Sequence, residues 1–523
     1  MQVVFNSKNI SQVIDSKNLK YYFDGLYSDI KKRDTDYWLK TSKEEKLKLF
    51  KFVAYNVPAY KDFLKKHKVN PEKIKNYEDL KYVPPINKEN YLWYYPYDKL
   101  LINGDKFLKN SLTMHATSGS TGEPTYFSRN IFNDLQRAFI INYFFKNNPN
   151  TIKGPTLFIV SFGMGIWSAG TGIYNAVYLA NNINNYPISL ISPGVNKIEI
   201  LKIFKNLGKY FKQIILAGYP PFVKDVIDEI YDSKLINLKK TEMRFVFTGE
   251  AFPEELRDYL NNKVKMYNIL LDTMNTYGTS ELGATAIETP LSILIKRLCY
   301  RHKEIFKDMF GEIDKTPTLC QYIPYFVNFD CIDGELYFYG RSAIPLVKYQ
   351  SGDRGGLKTL NEIKDIFRNY GINLDKEIRQ HKIQDYINEL PFVYVYERKN
   401  LAATFYGILI YPEFVKKILL GKSLNRFFTG RFTIITKYDK KQNQYLEINL
   451  ELKKNVSLKQ KDKDWIVKEI VKGLRMNSSE YRELHDHLKE RANPQLVFWP
   501  YNHPKYFGPI SSKHKWVIKQ QSP

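Results

Sequence analysis

The stretch His115-Ala116-Thr117-Ser118-Gly119-Ser120-Thr121-Gly122-Glu123-Pro124-Thr125 gathers Thr117, Ser118, Ser120 and Thr121 around Gly119 and Gly122. Short hydroxyl side chains and permissive glycines let backbone N–H groups converge on anionic oxygens, so the string reads as a phosphate cradle. It differs from the GxxxxGK[ST] loop, because no lysine follows Gly122, and from GxSxG, because Ala116 stands where a glycine is required. Taken alone, a plain Ser/Gly linker is the alternative.

Two later strings carry complementary chemistry. Asn275-Thr276-Tyr277-Gly278-Thr279-Ser280-Glu281 offers an aromatic face, a glycine, hydroxyls and a carboxylate. Those groups can stack a base, touch a phosphate and hold a magnesium ion. Tyr349-Gln350-Ser351-Gly352-Asp353-Arg354-Gly355 puts a carboxylate after a glycine turn, where it can accept from both hydroxyls of a ribose. Each string alone is an ordinary turn; their order along the chain gives them weight.

The chain that must position them has 523 residues, 43% hydrophobic and 26% charged. That supports two or three domains with a sizeable core, and excludes general disorder. Residues 1–105 read as helical and aromatic-rich, with a break at Pro58 and a turn at Pro84-Pro85. From about 110 to 390, apolar runs at 156–160, 213–217, 243–249 and 334–340 alternate with helical patterns such as 221–230 and 253–261. The alternation predicts α/β layers. Strands are expected at FTIIT and YLEINLEL and a helix at DWIVKEIVKGL, within a smaller, basic α+β unit. The boundary is placed near Arg398–Lys399, giving domains 1–397 and 398–523. Thr156 to Ala180 carries no charge, but its glycines favour a buried strand, a loop and a helix start over a membrane span.

The order TSGSTGEPT, FTGEAFPEE, NTYGTSELG, KYQSGDRG resembles the adenylate-forming enzyme superfamily, and within it the phenylacetate–CoA ligase-like branch. NVPAYKDFL with EDLKYVPPINKENY, SFGMGIWSAGTG, GELYFYGRSAIPLVKYQSGD and ERKNLAATFYGILIYPEFV resemble that branch's segments, and the likeness covers roughly residues 45–523. The resemblance implies an α/β fold, with a large multi-subdomain N-terminal domain and a small mobile α+β C-terminal domain. It implies ATP-dependent conversion of a carboxylic acid to acyl-AMP with release of pyrophosphate, then transfer to a thiol, coenzyme A first among candidates. Thr117, Ser118, Gly119, Ser120, Thr121 and Gly122 would wrap the ATP phosphates. Gly249-Glu250-Ala251 would border the adenine, and Tyr277, followed by Gly278, would stack on it. Ser280 takes the place of a threonine at the α-phosphate, Glu281 would ligate Mg²⁺, and Asp353 would hold the ribose. Arg398 precedes a hinge at Lys399, and the late catalytic lysine matches Lys513 rather than Lys515. The sequence departs from the pattern at Glu397, Asn400, Leu401 and Ile510-Ser511-Ser512.

By the same resemblance Phe162, Met164, Trp167, Tyr219, Phe222 and Phe252 come from segments lining the acid pocket. Aromatic walls suit an aryl or medium apolar acid. No basic residue sits within SFGMGIWSAG or AGYPPF to match a second carboxylate. The three cysteines, Cys299, Cys320 and Cys331, with His302, fall where some relatives carry structural zinc, and would fill a tetrahedral site; simple burial of free thiols is the alternative.

Net charge is +24, of which about +14 lies in 398–523. That face reads as solvated, or as a receiver for coenzyme A phosphates or an acidic carrier protein. No aromatic-interleaved basic run favours nucleic acid. Three cysteines make no disulfide framework, and the first fifteen residues carry no long apolar run, so a reducing cytoplasm is expected, without a membrane partner. The alternatives to a coenzyme A ligase are adenylation with transfer to a carrier protein or an amine, and a non-catalytic ATP-binding relative, the last prompted by the altered hinge and lysine contexts.

Overall fold

A hairpin of β1 (Thr113–Thr117) and β2 (Thr125–Arg129) brackets the expected phosphate cradle, its ends paired at Thr117 and Thr125. The computed structural model describes residues 16–109, 112–117, 125–311, 317–396, 402–421, 423–507 and 516–519.

Apolar runs with little charge then form β3 (Thr156–Ser161), β4 (Ile188–Ile191), β5 (Gln213–Gly218), β6 (Glu242–Thr248) and β7 (Thr273–Thr279). They pair in parallel in the order β4-β3-β5-β6-β7. Both faces of β3 are covered, as a parallel sheet requires. Leu157 and Ile159 join a cluster with helices Lys197–Leu207, Pro220–Asp232 and Glu254–Lys263. Phe158 and Val160, one residue out of phase, face helices Ile131–Lys146 and Ser168–Asn184. The uncharged stretch 156–180 is thus strand, loop and helix, and among the described residues no helix is long and apolar enough to cross a membrane.

Strand order reverses between β4 and β5 about β3, so a crevice opens at the carboxyl ends of β3 and β5. Beyond β7 the pairing turns antiparallel. β8 (Gly283–Ile287) pairs with β7, and it meets β9 (Thr318–Gln321) through the single pair Ile287↔Gln321. The sheet continues through β10 (Val327–Ile332), β11 (Glu335–Gly340), β12 (Leu346–Lys358) and β13 (Phe392–Tyr396), in spatial order β9-β13-β12-β11-β10.

This order removes the zinc site. Cys320 on β9 and Cys331 on β10 lie four strand spacings apart, about 19 Å across the sheet. Cys299 is buried in a third place, within helix Pro290–Arg301, and His302 is exposed at its end. Burial pushes all three thiols up, away from the thiolate that zinc needs. Among the described residues no three His, Cys, Asp or Glu side chains converge as metal ligands.

After residue 401, β14 (Ala403–Phe405) and β15 (Ile408–Ile410) form a hairpin, and β16 (Phe428–Tyr438), β17 (Gln444–Leu452), β18 (Gln495–Trp499) and β19 (Val517–Lys519) a second sheet. Helices Pro412–Leu419, Gln460–Asn477 and Ser479–Leu488 accompany it. Phe405, Ile410, Phe432 and Ile448 join the same apolar cluster as β3, β5 and β6.

Behind β7 lies a buried ionic lattice. Glu288 accepts from the Asn275 N–H of β7, from Lys296 at 2.8 Å and from Arg257. Lys296 also meets Glu254 at 2.8 Å. Burial alone would raise the Glu254 carboxyl, but Arg257, Lys296 and Arg297 hold it down to about 2. Removing one partner of such a lattice strands buried charge. Glu288→Gln is expected to cost about 3–5 kcal/mol, read as a lower urea midpoint; an unchanged midpoint would show that the lattice does not hold β7.

Candidate active site

The carboxyl ends of the parallel strands supply the walls of one cavity of about 360 Å³. β6 delivers Thr248, then Gly249, Glu250 and Ala251. β7 delivers Thr276, Tyr277, Gly278 and Thr279, then Ser280 and Glu281 in the turn to β8. That turn is held by the Leu282 N–H donating to Thr279 Oγ1 at 3.2 Å. β12 adds Asp353, and the loops after β3 and β5 add Trp167 and Tyr219.

Tyr277 donates its hydroxyl to Asp353 at 2.7 Å, so the second and third sequence strings touch. Ser351 donates to the same oxygen at 2.7 Å. The Tyr277 ring packs beside Phe338 and Phe329, which fix its plane. Glu281 is buried; Oε1 accepts from the Tyr349 hydroxyl at 3.1 Å and faces Lys88 Nζ at 3.4 Å. Lys88 reaches this place because the Pro84–Asn87 segment pairs with β12. The Ile86 N–H donates to the Lys348 carbonyl at 3.2 Å and the Gln350 N–H to the Ile86 carbonyl at 2.8 Å.

On the acid side the expectation is half corrected. Trp167 and Tyr219 line the cavity. Phe162 instead lies behind it, edge-on to Tyr219 with ring centroids 5.0 Å apart. Phe252 is in the core, edge-on to Phe247 and under the Arg257 guanidinium, and Phe222 is in the same cluster. These rings support the wall without facing the cavity. Ser118, Gly119, Ser120, Thr121, Gly122, Arg398, Lys399, Lys513 and Lys515 lie outside the described residues, and Thr117 is described only as the last residue of β1.

The C-terminal section completes the site. Gly407, at φ +77°, lies flat on Tyr219; a Cβ there would fall 2.0 Å from the ring. Gly249 lies on the ring too, its imagined Cβ 3.0 Å away. Glu483 accepts from Trp167 Nε1 at 2.8 Å, and Gln444 donates to Glu250 at 2.8 Å.

Sequence reasoning missed a set of buried cations. Arg129, at the end of β2, donates to Ser168 Oγ at 3.0 Å and to the Ser280 carbonyl at 2.6 Å. Arg137, on helix Ile131–Lys146, donates to Ser168 at 3.2 Å and lines the cavity. The available signal was a pair of charges, Asp134 and Arg137, inside a mostly buried helix that is rich in apolar residues. His115 stands beside both arginines. Burial, then Arg129 and Arg137, push its imidazole down to about 3.

No protein-family model matches the chain. It is 21% identical over 323 residues to a phenylacetate–coenzyme A ligase of Thermus thermophilus. That match covers 60% of this chain and 65% of the relative, so the chain spans just under two thirds of its length. A crystal structure of 2-hydroxyisobutyryl-CoA ligase with 2-HIB-AMP and CoA in the thioesterification state superposes with TM-score 0.62 at 12% identity, over 94% of this chain and 91% of that one. The same ligase in the postadenylation state with 2-HIB-AMP gives 0.52 at 12% identity, over 94% and 92%. The α/β fold is therefore that of the 2-hydroxyisobutyryl-CoA ligase, and the chain is similar in sequence to a phenylacetate–coenzyme A ligase.

The depressed His115 has a consequence for acid stability. The unfolded chain protonates this imidazole near pH 6.5, whereas the folded chain does so only near 3. Between those values the unfolded state binds more protons, so stability falls as pH falls through the window. His115→Gln should flatten that part of the melting-temperature profile between pH 6.5 and 3; an unaltered slope would contradict the assignment.

Proposed function

We propose that the chain activates a carboxylic acid with ATP, forming an acyl-adenylate and pyrophosphate, and passes the acyl group to the thiol of coenzyme A. The observation that carries this reading is a single cavity with two kinds of wall. Gly249-Glu250-Ala251, Tyr277 and Asp353 form a nucleoside-sized face, Trp167 and Tyr219 an acid-sized one, and Ser280 and Glu281 line the same space. The 2-hydroxyisobutyryl-CoA ligase named above shares the fold, and its complexes hold 2-HIB-AMP, one of them with CoA as well.

A carboxylate is a weak nucleophile, and a triphosphate repels it. Positioning and charge neutralisation are therefore the main needs. Asp353 accepts from the ribose hydroxyls, with Tyr277 and Ser351 orienting its carboxylate. The Tyr277 ring stacks on the base. The hydroxyl-rich loop 117–122 cradles the β- and γ-phosphates, and Ser280 meets the α-phosphate. The acid oxygen bonds to the α-phosphorus as the bond to pyrophosphate breaks. The thiol sulfur then bonds to the acyl carbon, AMP leaves, and the thiol proton passes to solvent. Trp167, Tyr219 and the glycine plates around the Tyr219 ring keep water from the mixed anhydride.

Glu281 fits a magnesium ion. It supplies one buried carboxylate in the cavity wall, and magnesium usually takes one or two protein carboxylates with phosphate oxygens and water completing the shell. When bound, the ion neutralises phosphate charge. Lys88, 3.4 Å from the same carboxylate, holds its charge in balance meanwhile. Lys513 is assigned to the α-phosphate during adenylation, Arg398 and Lys399 to the junction between a nucleotide- and acid-binding part (1–397) and a lid (398–523). The surplus positive charge of that lid suits the phosphates of coenzyme A or an acidic carrier.

The test is acid-dependent ATP–pyrophosphate exchange across an acid panel, followed by AMP release with and without coenzyme A. Glu281→Gln and Lys513→Ala should each lower exchange by about 10²–10³-fold. Lys515→Ala should change it little. Background exchange with every acid, unaltered in Glu281→Gln, would end the reading. Asp353→Ala should raise KM for ATP; unchanged ATP saturation would remove its ribose role.

A further inference from the structure

Among the described residues Arg137 has no ion-pair partner on the cavity wall. Its residue is 6% exposed, and it lines the cavity together with Ile140, Ile141, Ser168, Gly172 and Ala284. Among the described residues its one hydrogen bond goes to Ser168 Oγ, and Nη1 has none. Two glycines make room for the guanidinium. A Cβ at Gly172 would fall 2.1 Å from Nη1, and one at Gly283 would fall 2.6 Å from Nη2. The first lies on the helix of the acid side and the second immediately follows the Glu281 turn, so the guanidinium sits between acid-side and phosphate-side elements.

The local charges do not cancel. Among the described residues Asp134 is the carboxylate that acts on both Arg129 and Arg137, and it forms no ion pair with either. Burial raises that carboxyl while the two arginines pull it back. His115 is held neutral there. Glu281 also reaches Arg129, but Lys88 matches it. Glu250, Glu480 and Glu483 act on Tyr219. Among the described residues one positive charge is left over in a buried region, which costs several kcal/mol unless an anion answers it. The helix Ser168–Asn184 points its N-terminus at the same place, with Ser168 and Gly172 in its first turns and no side-chain cap.

We infer that the acid this site accepts carries a second anionic group besides the carboxyl that is activated, and that this group pairs with Arg137 beside Ser168. The inference rests on the acid-activating reading above and departs from the expectation of an aryl or medium apolar acid. The basic residue absent from the pocket segments is supplied by a different helix. A dicarboxylic acid short enough to lie between the Ser280–Glu281 turn and Arg137 has the required chemistry.

The experiment compares matched acids of equal length ending in a carboxylate, an amide or a methyl group, by pyrophosphate exchange and by thermal shift. Wild type should favour the dicarboxylate at least tenfold in kcat/KM. Arg137→Met should shift that preference at least tenfold towards the methyl-ended acid, and its ligand-free melting temperature should not fall, because it removes uncompensated charge. Gly172→Ala, which keeps the arginine but displaces it, should erode the preference in the same direction, and serves if Arg137→Met does not fold. Equal or better use of methyl-ended acids by wild type, or a preference surviving in both variants, would overturn the inference and leave acid activation standing. If wild type activates no acid, the activation reading fails, and thermal shift decides this one. Stabilisation by free dicarboxylate that is lost in Gly172→Ala supports it, and no stabilisation overturns it.

Discussion

The Arg129 guanidinium ties the site together. It sits at the foot of the hairpin that carries the hydroxyl-rich loop. One of its nitrogens donates to Ser168, at the start of the acid-side helix. Another donates to the carbonyl of Ser280, in the turn that presents Glu281. Three segments distant in sequence thus meet on one fully buried cation. Burial and the neighbouring Arg137 weigh against its charge, while Asp134 and Glu281 favour it. A charge-assisted hydrogen bond in so dry a place is directional and hard to replace, so the relative placement of loop, turn and pocket is set by a planar fork rather than by apolar contact.

The backbone makes that convergence available. In the parallel half of the sheet, every carboxyl end points to the same edge, and the change of direction about β3 leaves a gap there. The reversal from β7 to β8 then turns the chain back at that edge, so Ser280 and Glu281 protrude where a strand would otherwise continue. The antiparallel half returns β12 with Asp353 to the same rim. The two halves touch through one strand pair, yet Tyr277 and Asp353 bridge them by a side-chain hydrogen bond at the mouth of the cavity.

Much of this could be read in the sequence, and the failures have physical causes. Runs such as TLFIVS and QIILAG have the length and lack of charge of strands covered on both faces, and β3 and β5 fall on them. The nucleotide-side strings were legible through their order along the chain, each alone being an ordinary turn, and Tyr277, Glu281 and Asp353 do meet one cavity. Phe162 and Phe252 misled because an aromatic residue after a strand has the same spelling whether it faces a cavity or props up its wall. The cysteines misled because neighbours in sequence need not be neighbours in a sheet: β9 and β10 are consecutive strands separated by β13, β12 and β11. Arg137 was hidden in a helix that belongs to no motif, and only the fold carries it to the pocket.

The clasp on Tyr219 binds two properties that are usually considered apart. A glycine of the first section, Gly249, and a glycine of the second, Gly407, adjoin each other against the Cδ1–Cε1 side of its ring, the second with no slack. On the proposed reading, an acid that needs a wider chamber must push this ring, and so loosens the seat of the β14–β15 turn. Girth of the cargo and seating of the C-terminal section therefore draw on a common free energy, and by reciprocity whatever fastens that section also narrows the range of acids that fit.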